Sequence, residues 1–472
     1  QVLARAEQLR QLLSASPMSW HHHHFSLTMS FGCATLAAGQ SLDNRFGGEV
    51  SARQLDLNVA ANLYNQGGLL ESGNSLLLVG GNLDNSAGGR VRALAGEQSR
   101  ITLGGVLNNQ GGTLALGSSA FALNAGQLNN IGGSIEHAGS GLFKLDLGAL
   151  SGFQGRITGL GRGDWDVAAV DRSGLMQLNG TLDLSTGGDL NLNAGDRIAS
   201  ASGLRVGAAT LNNAGELASD GYLTLDLGGN LNNSGLLSSR GKLTVGAGDL
   251  NQYGGRIASG GDSELNLRGT LDNLGRLIAS QNLYVSAAQI NNRGTLGALG
   301  QMQLRSGNGI TTSADTLIYS GGDMLLRGNT LSNSYGDLYS AGNLSFAALD
   351  GGRAALLSNR SGTIESEGDM NLNVALLQNA MDKYQVGETI TQRNIVINCT
   401  DCSGDHHTAT YIVNTTYEGT MGEHSAGARL VSNRDLTINA DTVENDQSLI
   451  AANRDVSITA NNLYNRGLTL DK

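Results

Sequence analysis

Between Gly221 and Gly229 the chain alternates strictly, with Leu223, Leu225 and Leu227 apolar and Thr224 and Asp226 polar. A period of two sends one set of side chains inward and the other to solvent, which predicts a β-strand with one buried face. The same alternation recurs along most of the chain between glycine-rich corners, and roughly every twenty residues it runs into a short phrase of leucine, a polar residue and asparagine. The phrase reads Leu42-Asp43-Asn44, Leu63-Tyr64-Asn65, Leu83-Asp84-Asn85, Leu107-Asn108-Asn109 and Leu128-Asn129-Asn130, and continues from Leu211, Leu231, Leu250, Leu271 and Ile290. A two-residue period nested in a twenty-residue one predicts an all-β fold, a right-handed parallel β-helix (β-solenoid) with coils of about 20 residues. Helical repeats are excluded, because glycine every few residues would weaken each helix by about 1 kcal/mol per glycine. Stacked coils would place neighbouring strands about 4.8 Å apart and build a rod.

The asparagines at the corners, such as Asn212-Asn213, Asn232-Asn233 and Asn291-Asn292, are read as architecture. Asparagine tolerates left-handed backbone, its amide satisfies turn groups, and like residues stacked coil on coil form hydrogen-bonded ladders.

Several stretches depart from the rhythm. In residues 1–40, Val2, Leu3, Ala6, Leu9, Leu12 and Leu13 follow helical spacing up to Pro17, which predicts a short N-terminal helical segment, a candidate cap for the solenoid end. The run His21 to His24 is read as a tag remnant or solvated loop and given no role, and Phe25 to Ala38 as the remnant of a secretory apolar region. Repeats are expected over 41–379, with irregular coils at 148–187, where the alternation persists but the asparagine phrase is lost. Over 380–427 glycine thins out and threonine and tyrosine rise, notably in Thr389–Asn398 and Thr408–Tyr417. These read as two strands of a projecting β-hairpin with a polar tip at Cys399–His407. An insertion into a solenoid emerges on one face, where function is commonly carried. Repeats resume over 428–472 and stop in mid-coil, so the chain reads as part of a longer protein.

Composition narrows the class. Of 472 residues, 69 are glycine, one is proline and 4% are aromatic, which excludes collagen, while 40% hydrophobic content suffices for a core that grows lengthwise. The formal charge of -11, from 41 acidic against 30 basic residues without a basic stripe, argues against nucleic acid as a partner. No apolar run is long enough for a membrane-spanning helix. Three cysteines are too few for a disulfide framework.

The stretches NLDNSAGGRVRA, VLNNQGGTLAL, NLNNSGLLSS and RDLTINADTVENDQSLIAANRDVSI resemble the repeats of filamentous haemagglutinin exoproteins, from Leu42 onward. The resemblance implies a shaft fragment of a secreted or bacterial cell-surface (outer-membrane-associated) protein. In that family such shafts serve adhesins or contact-dependent growth-inhibition effectors exported by two-partner secretion through an outer-membrane barrel. The partners it implies are a receptor, protein or glycan, on a host or neighbouring cell, and the outer-membrane transporter, engaged through a domain not in this chain. Val443-Glu444-Asn445-Asp446 approaches the boundary motif that precedes toxin domains in the family, but repeats continue past it and it is read as another corner.

Candidate chemistry is sparse. Arg162-Gly163-Asp164 is the tripeptide integrins recognise, and chance is a serious rival. Cys399 and Cys402, with His406 and His407, sit at the hairpin tip, where a disulfide is the first reading and free thiols or zinc remain alternatives. Asp401 and Asp405 complete the tip as a candidate interaction site. The alternative class is a carbohydrate-active parallel β-helix enzyme, a polysaccharide lyase or hydrolase, which needs facing carboxylates. Asp43, Asp84 and Asp272 instead recur at corners beside asparagine. No catalytic, cofactor or metal residues are assigned, and His137 is expected as a solvent-facing strand residue.

Overall fold

The computed structural model of the chain describes residues 28–401, 404–405 and 408–467. The helical segment expected over Val2 to Leu13 and the His21 to His24 run lie outside them. Every regular element among the described residues is a β-strand, which makes their fold all-β. Two compact units divide the chain, Gln1–Gly139 and Ser140–Lys472.

Each unit is a parallel β-solenoid. In the first, the strands Glu49–Ala52, Leu69–Ser72, Arg90–Ala93, Thr113–Leu116 and Ser134–His137 pair in parallel, coil upon coil. On another face of the coil, Leu42, Leu63, Leu83, Leu107 and Leu128 lie in register. Parallel pairing begins earlier than residue 41, because Thr28–Phe31 pairs with Glu49–Ala52 and Ala34–Ala38 with Leu55–Val59. The stretch from Thr28 to Ala38 is therefore the first described coil. In the second unit Leu190, Leu211, Leu231, Leu250, Leu271 and Ile290 continue one such row. The row runs on through Ile310, Leu331, Leu357, Leu377, Val443 and Leu463.

Burial follows the alternation. In Tyr222–Leu227 the three leucines are buried while Tyr222 and Asp226 are exposed. Each buried leucine side chain contributes about 1.5–3 kcal/mol relative to its exposed state. The interior is accordingly a stack of leucine, isoleucine and valine, with few aromatics such as Trp165 and Phe143, whose rings meet edge to face at 5.3 Å.

The corner asparagines form the predicted ladders. In the first unit the buried amide of Asn44 donates to Asn65 Oδ1, Asn65 to Asn85, Asn85 to Asn109 and Asn109 to Asn130, at 2.7–2.8 Å. The second hydrogen of each amide is used as well: Asn65 Nδ2 reaches Arg90 O at 3.1 Å and Asn109 Nδ2 reaches Ser134 O at 3.2 Å. Buried amides matched this way avoid the desolvation cost of about 1–3 kcal/mol per orphaned group. The Asn-x-Gly-Gly spelling follows from the same geometry. Gly67 takes a left-handed φ of 65°, and a Cβ on Gly68 would lie 2.0 Å from Asn44 O, so side chains are excluded by conformation at one glycine and by contact at the next.

A second buried polar row was not read from the sequence. Ser219, Ser239, Ser259, Ser320 and Ser366 are buried at the ends of their strands, and Ser239, Ser259, Ser320 and Ser366 each donate to the carbonyl two residues on. They stand six to eight residues after the corner position held by Asn213, Asn233, Gln252, Thr312 and Asn359, which is the signal that marks them.

At 148–187 the pairing persists without the asparagine phrase. Arg156–Gly159 pairs with Leu175–Leu178, and Phe143–Leu147 with Gly163–Val167. The corner chemistry changes: Asp196, 3% exposed, accepts from Arg172 Nε at 3.1 Å, Asn193 N at 2.9 Å and Gly174 N at 3.2 Å. Arg172 in turn lies over the Phe153 ring at 4.8 Å.

His137 corrects the expectation of a solvent-facing residue. It is 1% exposed, in register with buried Leu116, and its Nε2 lies 2.9 Å from Ser118 O. The alternation Ile135-Glu136-His137 carries the inward phase, since position 135 is buried and position 136 exposed.

A candidate interaction hairpin and its neck

The coil that ends at Ala380 does not pass directly into the next. Tyr384–Asp401 and Thr408–His424 pair antiparallel as a two-stranded ribbon, and nearly every residue of both strands is exposed. Threonine, isoleucine, valine and tyrosine dominate both strands, the residue types that favour a pleated backbone. An isolated two-stranded ribbon is marginally stable in water, so its anchoring matters.

The neck supplies that anchor. Lys383 and Ser425 close the ribbon base: Ser425 N donates to Lys383 O at 2.9 Å and Lys383 N to Ser425 Oγ at 3.0 Å. Ser361 binds both sides of the neck. Its hydroxyl lies 2.7 Å from Ser425 Oγ and accepts from Asp382 N at 2.9 Å. Tyr335 OH donates to Asp382 Oδ2 at 2.8 Å. Both Ser361 and Tyr335 hold left-handed φ, 51° and 59°, at corners where earlier coils use glycine.

Beside the neck runs an open cleft of ≈ 770 Å³ lined by Arg360, Gln378, Asp382, Tyr384, Glu444, Asp446 and Arg466 among others. It gathers three carboxylates, the arrangement a hydrolase needs, but each is already engaged. Asp382 accepts from Tyr335, Glu444 accepts from Gln378 at 2.9 Å, and Asp446 holds Arg466 at 2.6 and 2.8 Å. Asp446 in return raises the Arg466 guanidinium pKa further above its ordinary value, chiefly through that hydrogen bond. Each of the three carboxylates thus ties a residue of the neck or of a neighbouring coil into place.

The residues singled out in the sequence are scattered. Arg162 is exposed and donates to Asp183 Oδ2 at 3.0 Å. Gly163 and Asp164 open the strand Gly163–Val167, which is paired on both sides with Phe143–Leu147 and Leu182–Ser185. A Cβ on Gly163 would come within 2.3 Å of Leu178 Cδ1, so this glycine is set by core packing. At the tip, Asp401 pairs with Thr408, Asp405 is exposed and Gly404 takes a φ of 82°. Cys399 is disulfide-bonded, while Cys33 is free and exposed. Cys402, His406 and His407 lie outside the described residues. No group of three metal-ligating side chains occurs among the described residues.

Fold and site together define a parallel β-solenoid scaffold carrying an extrahelical ribbon. The haemagglutinin repeat matches the chain seven times, at residues 34–91, 78–143, 161–235, 218–275, 278–348, 336–382 and 404–471. The chain belongs to the haemagglutinin-repeat family, a family of structural adhesins found typically as secreted or cell-surface proteins. Neither a curated relative nor a solved structure matches it.

Val443-Glu444-Asn445-Asp446 falls within an ordinary coil. Val443 is in register with Leu377 and Leu463, and Asn445 stands in the ladder between Asn379 and Asn465.

Proposed function

We propose that this chain is shaft from a secreted or cell-surface exoprotein, and that its hairpin makes contact with a receptor on a host or neighbouring cell. The observation that carries this reading is the exposure of the ribbon on a stack that continues beneath it. Asn379 donates to Asn445 at 2.8 Å across the insertion, so the ribbon adds nothing to the core and is free to bind. Adhesion is favoured over carriage of a distal toxin alone because a passive spacer has no need of such an element. The tip is the contact, formed by Asp401, Asp405, His406 and His407 and locked by a Cys399–Cys402 disulfide. Two cysteines three apart at the end of a ribbon would hold the turn closed in an oxidising environment. Arg162-Gly163-Asp164 is disfavoured, since its strand is paired on both sides. Export would run through an outer-membrane transporter engaged by sequence outside this chain.

The test is binding of the purified, labelled chain to target cells. Alanine at Asp401, Asp405, His406 and His407 together is expected to abolish binding with unfolding unchanged; full binding by that variant would overturn the reading.

A further inference from the structure

Register along the hairpin is not uniform. Ile390 pairs with Tyr417 but Gln392 pairs with Thr416, so Thr391 is an extra residue on the first strand. A bulge of this kind shifts the phase of one strand by one residue relative to its partner. Its consequence can be read row by row. On the side nearer the neck, Val386 opposes Met421 and Ile390 opposes Tyr417; on the tip side, Ile395 opposes Val413 and Ile397 opposes Tyr411. The second strand has no bulge over this span, so Tyr411, Val413, Tyr417 and Met421, all odd-numbered, share one face. Without Thr391 the first strand would place Val386 and Ile390 on one face and Ile395 and Ile397 on the other. With it, all four rows lie on a single face. The opposite face carries Gln392, Asn394, Asn398, Asn414 and Thr416, with Val396 and Ile412 as its apolar row.

The apolar face has no cover among the described residues: Ile397 and Tyr411 are 59% and 66% exposed, and the other members of the four rows are exposed too. Four exposed apolar rows on one face, interrupted only by the rows of Glu388 and Arg393, mark an association surface. Its charges say what fits. On this face the two charged residues are Glu388, opposite Gly419, and Arg393, opposite Thr415, one row to either side of Ile390 and Tyr417. Both charges are on the same strand.

We infer that the hairpin docks face to face with the hairpin of a second copy of this chain, antiparallel, about a two-fold axis through the Ile390–Tyr417 row. Such an axis lays each first strand over its counterpart running the other way. Glu388 of one copy then meets Arg393 of the other, and the contact occurs twice. Val386 and Met421 meet Ile395 and Val413, and Gly419 faces Thr415. The pattern is self-complementary in size and sign, as an isologous interface requires. A ribbon face about 45 Å long and 10 Å wide buries roughly 1,000 Å² over both copies, at the lower end for a specific interface, so the dimer is expected to dissociate on dilution. The proposed receptor contact uses the tip and is separate from this face.

The experiment is sedimentation velocity of the full chain across a wide concentration range. A reversible monomer–dimer equilibrium is expected. Glu388→Arg alone and Arg393→Glu alone are each expected to weaken dimerisation at least about tenfold, since each brings like charges together twice. The double variant Glu388→Arg/Arg393→Glu should restore it, which no folding defect would do. Val396→Thr, on the opposite face, should leave it unchanged, as should the tip substitutions. A monomer at every concentration, or a dimer that both single reversals leave intact, would overturn the inference.

Discussion

Asn379 Nδ2 donates to Asn445 Oδ1 at 2.8 Å although the two residues are 66 apart in sequence. The preceding rung, Asn359 to Asn379, spans 20 residues at 2.9 Å, and the following one, Asn445 to Asn465, spans 20 at 2.8 Å. The hairpin therefore enters between two rungs without altering their spacing. Strand pairing agrees, because Thr363–Ser366 lies directly beside Arg429–Ser432. The stack holds the fold and the insertion is free to carry a contact.

The ladder should be sensitive to single atoms. Asn359 accepts from Asn333 at 2.8 Å and donates to Asn379 at 2.9 Å and to Arg429 O at 3.0 Å. Asn359→Ala is expected to destabilise the second unit by about 1–3 kcal/mol for each partner left unsatisfied. Asn359→Asp should cost more, because it places a carboxylate with no facing cation in the core. Urea unfolding followed by far-ultraviolet circular dichroism gives both values, and an Asp variant more stable than the Ala variant would count against the ladder.

The altered corner at Asp196 makes a different prediction. Asp196 accepts from Arg172 and two backbone amides while almost wholly buried. Arg172 is half-buried and Asp196 keeps its two backbone donors, so Arg172→Ala should cost about 1–3 kcal/mol for the buried carboxylate left without its cation. The combined Arg172→Ala/Asp196→Ala change should cost less than the sum of the two single changes. Denaturant unfolding of the three variants measures the coupling.

Acid should act on the first unit through His137. Burial lowers its pKa below the ordinary value of about 6.5, and the hydrogen bond with Ser118 O only partly offsets that. The folded state thus holds the neutral ring. The stability this contributes is present above the unfolded pKa and is lost as pH falls through the depressed folded value. Stability of the unit should decline below about pH 6.5, and His137→Phe should flatten that part of the profile, read as unfolding midpoint against pH.

What the sequence made legible follows from periodicity. The leucine–x–asparagine phrase located the rows from Leu42 to Ile290, and the alternation fixed their buried phase. The strands beneath Tyr384–Asp401 and Thr408–His424 were marked by threonine and tyrosine where glycine thins out. Other features depend on chemistry that a repeat does not spell. Leu192 stands in register with the ladder residue Asn213, and the buried polar group of that corner is instead Asp196, four residues on, which draws in Arg172 from the preceding coil, so the phrase disappears while the coil survives. His137 has no evident partner in the sequence and so reads as solvent-facing, although its inward phase two residues after Ile135 is present in the alternation. The Thr391 bulge was hidden because alternation read across it assigns Ile390 and Ile395 to opposite faces, and cross-strand register alone unites them.

The account rests on separating scaffold from insertion, and excising the ribbon tests this most directly. Lys383 and Ser425 are already hydrogen-bonded at the neck, so Tyr384–His424 can be replaced by two glycines without moving the coils. The thermal unfolding midpoint of the excised chain is predicted to match that of the full chain within about 2 °C, because the Asn379–Asn445 rung and the neighbouring strands are untouched. A fall as large as that caused by Asn359→Ala would show that the hairpin helps to hold the solenoid together and would contradict the account.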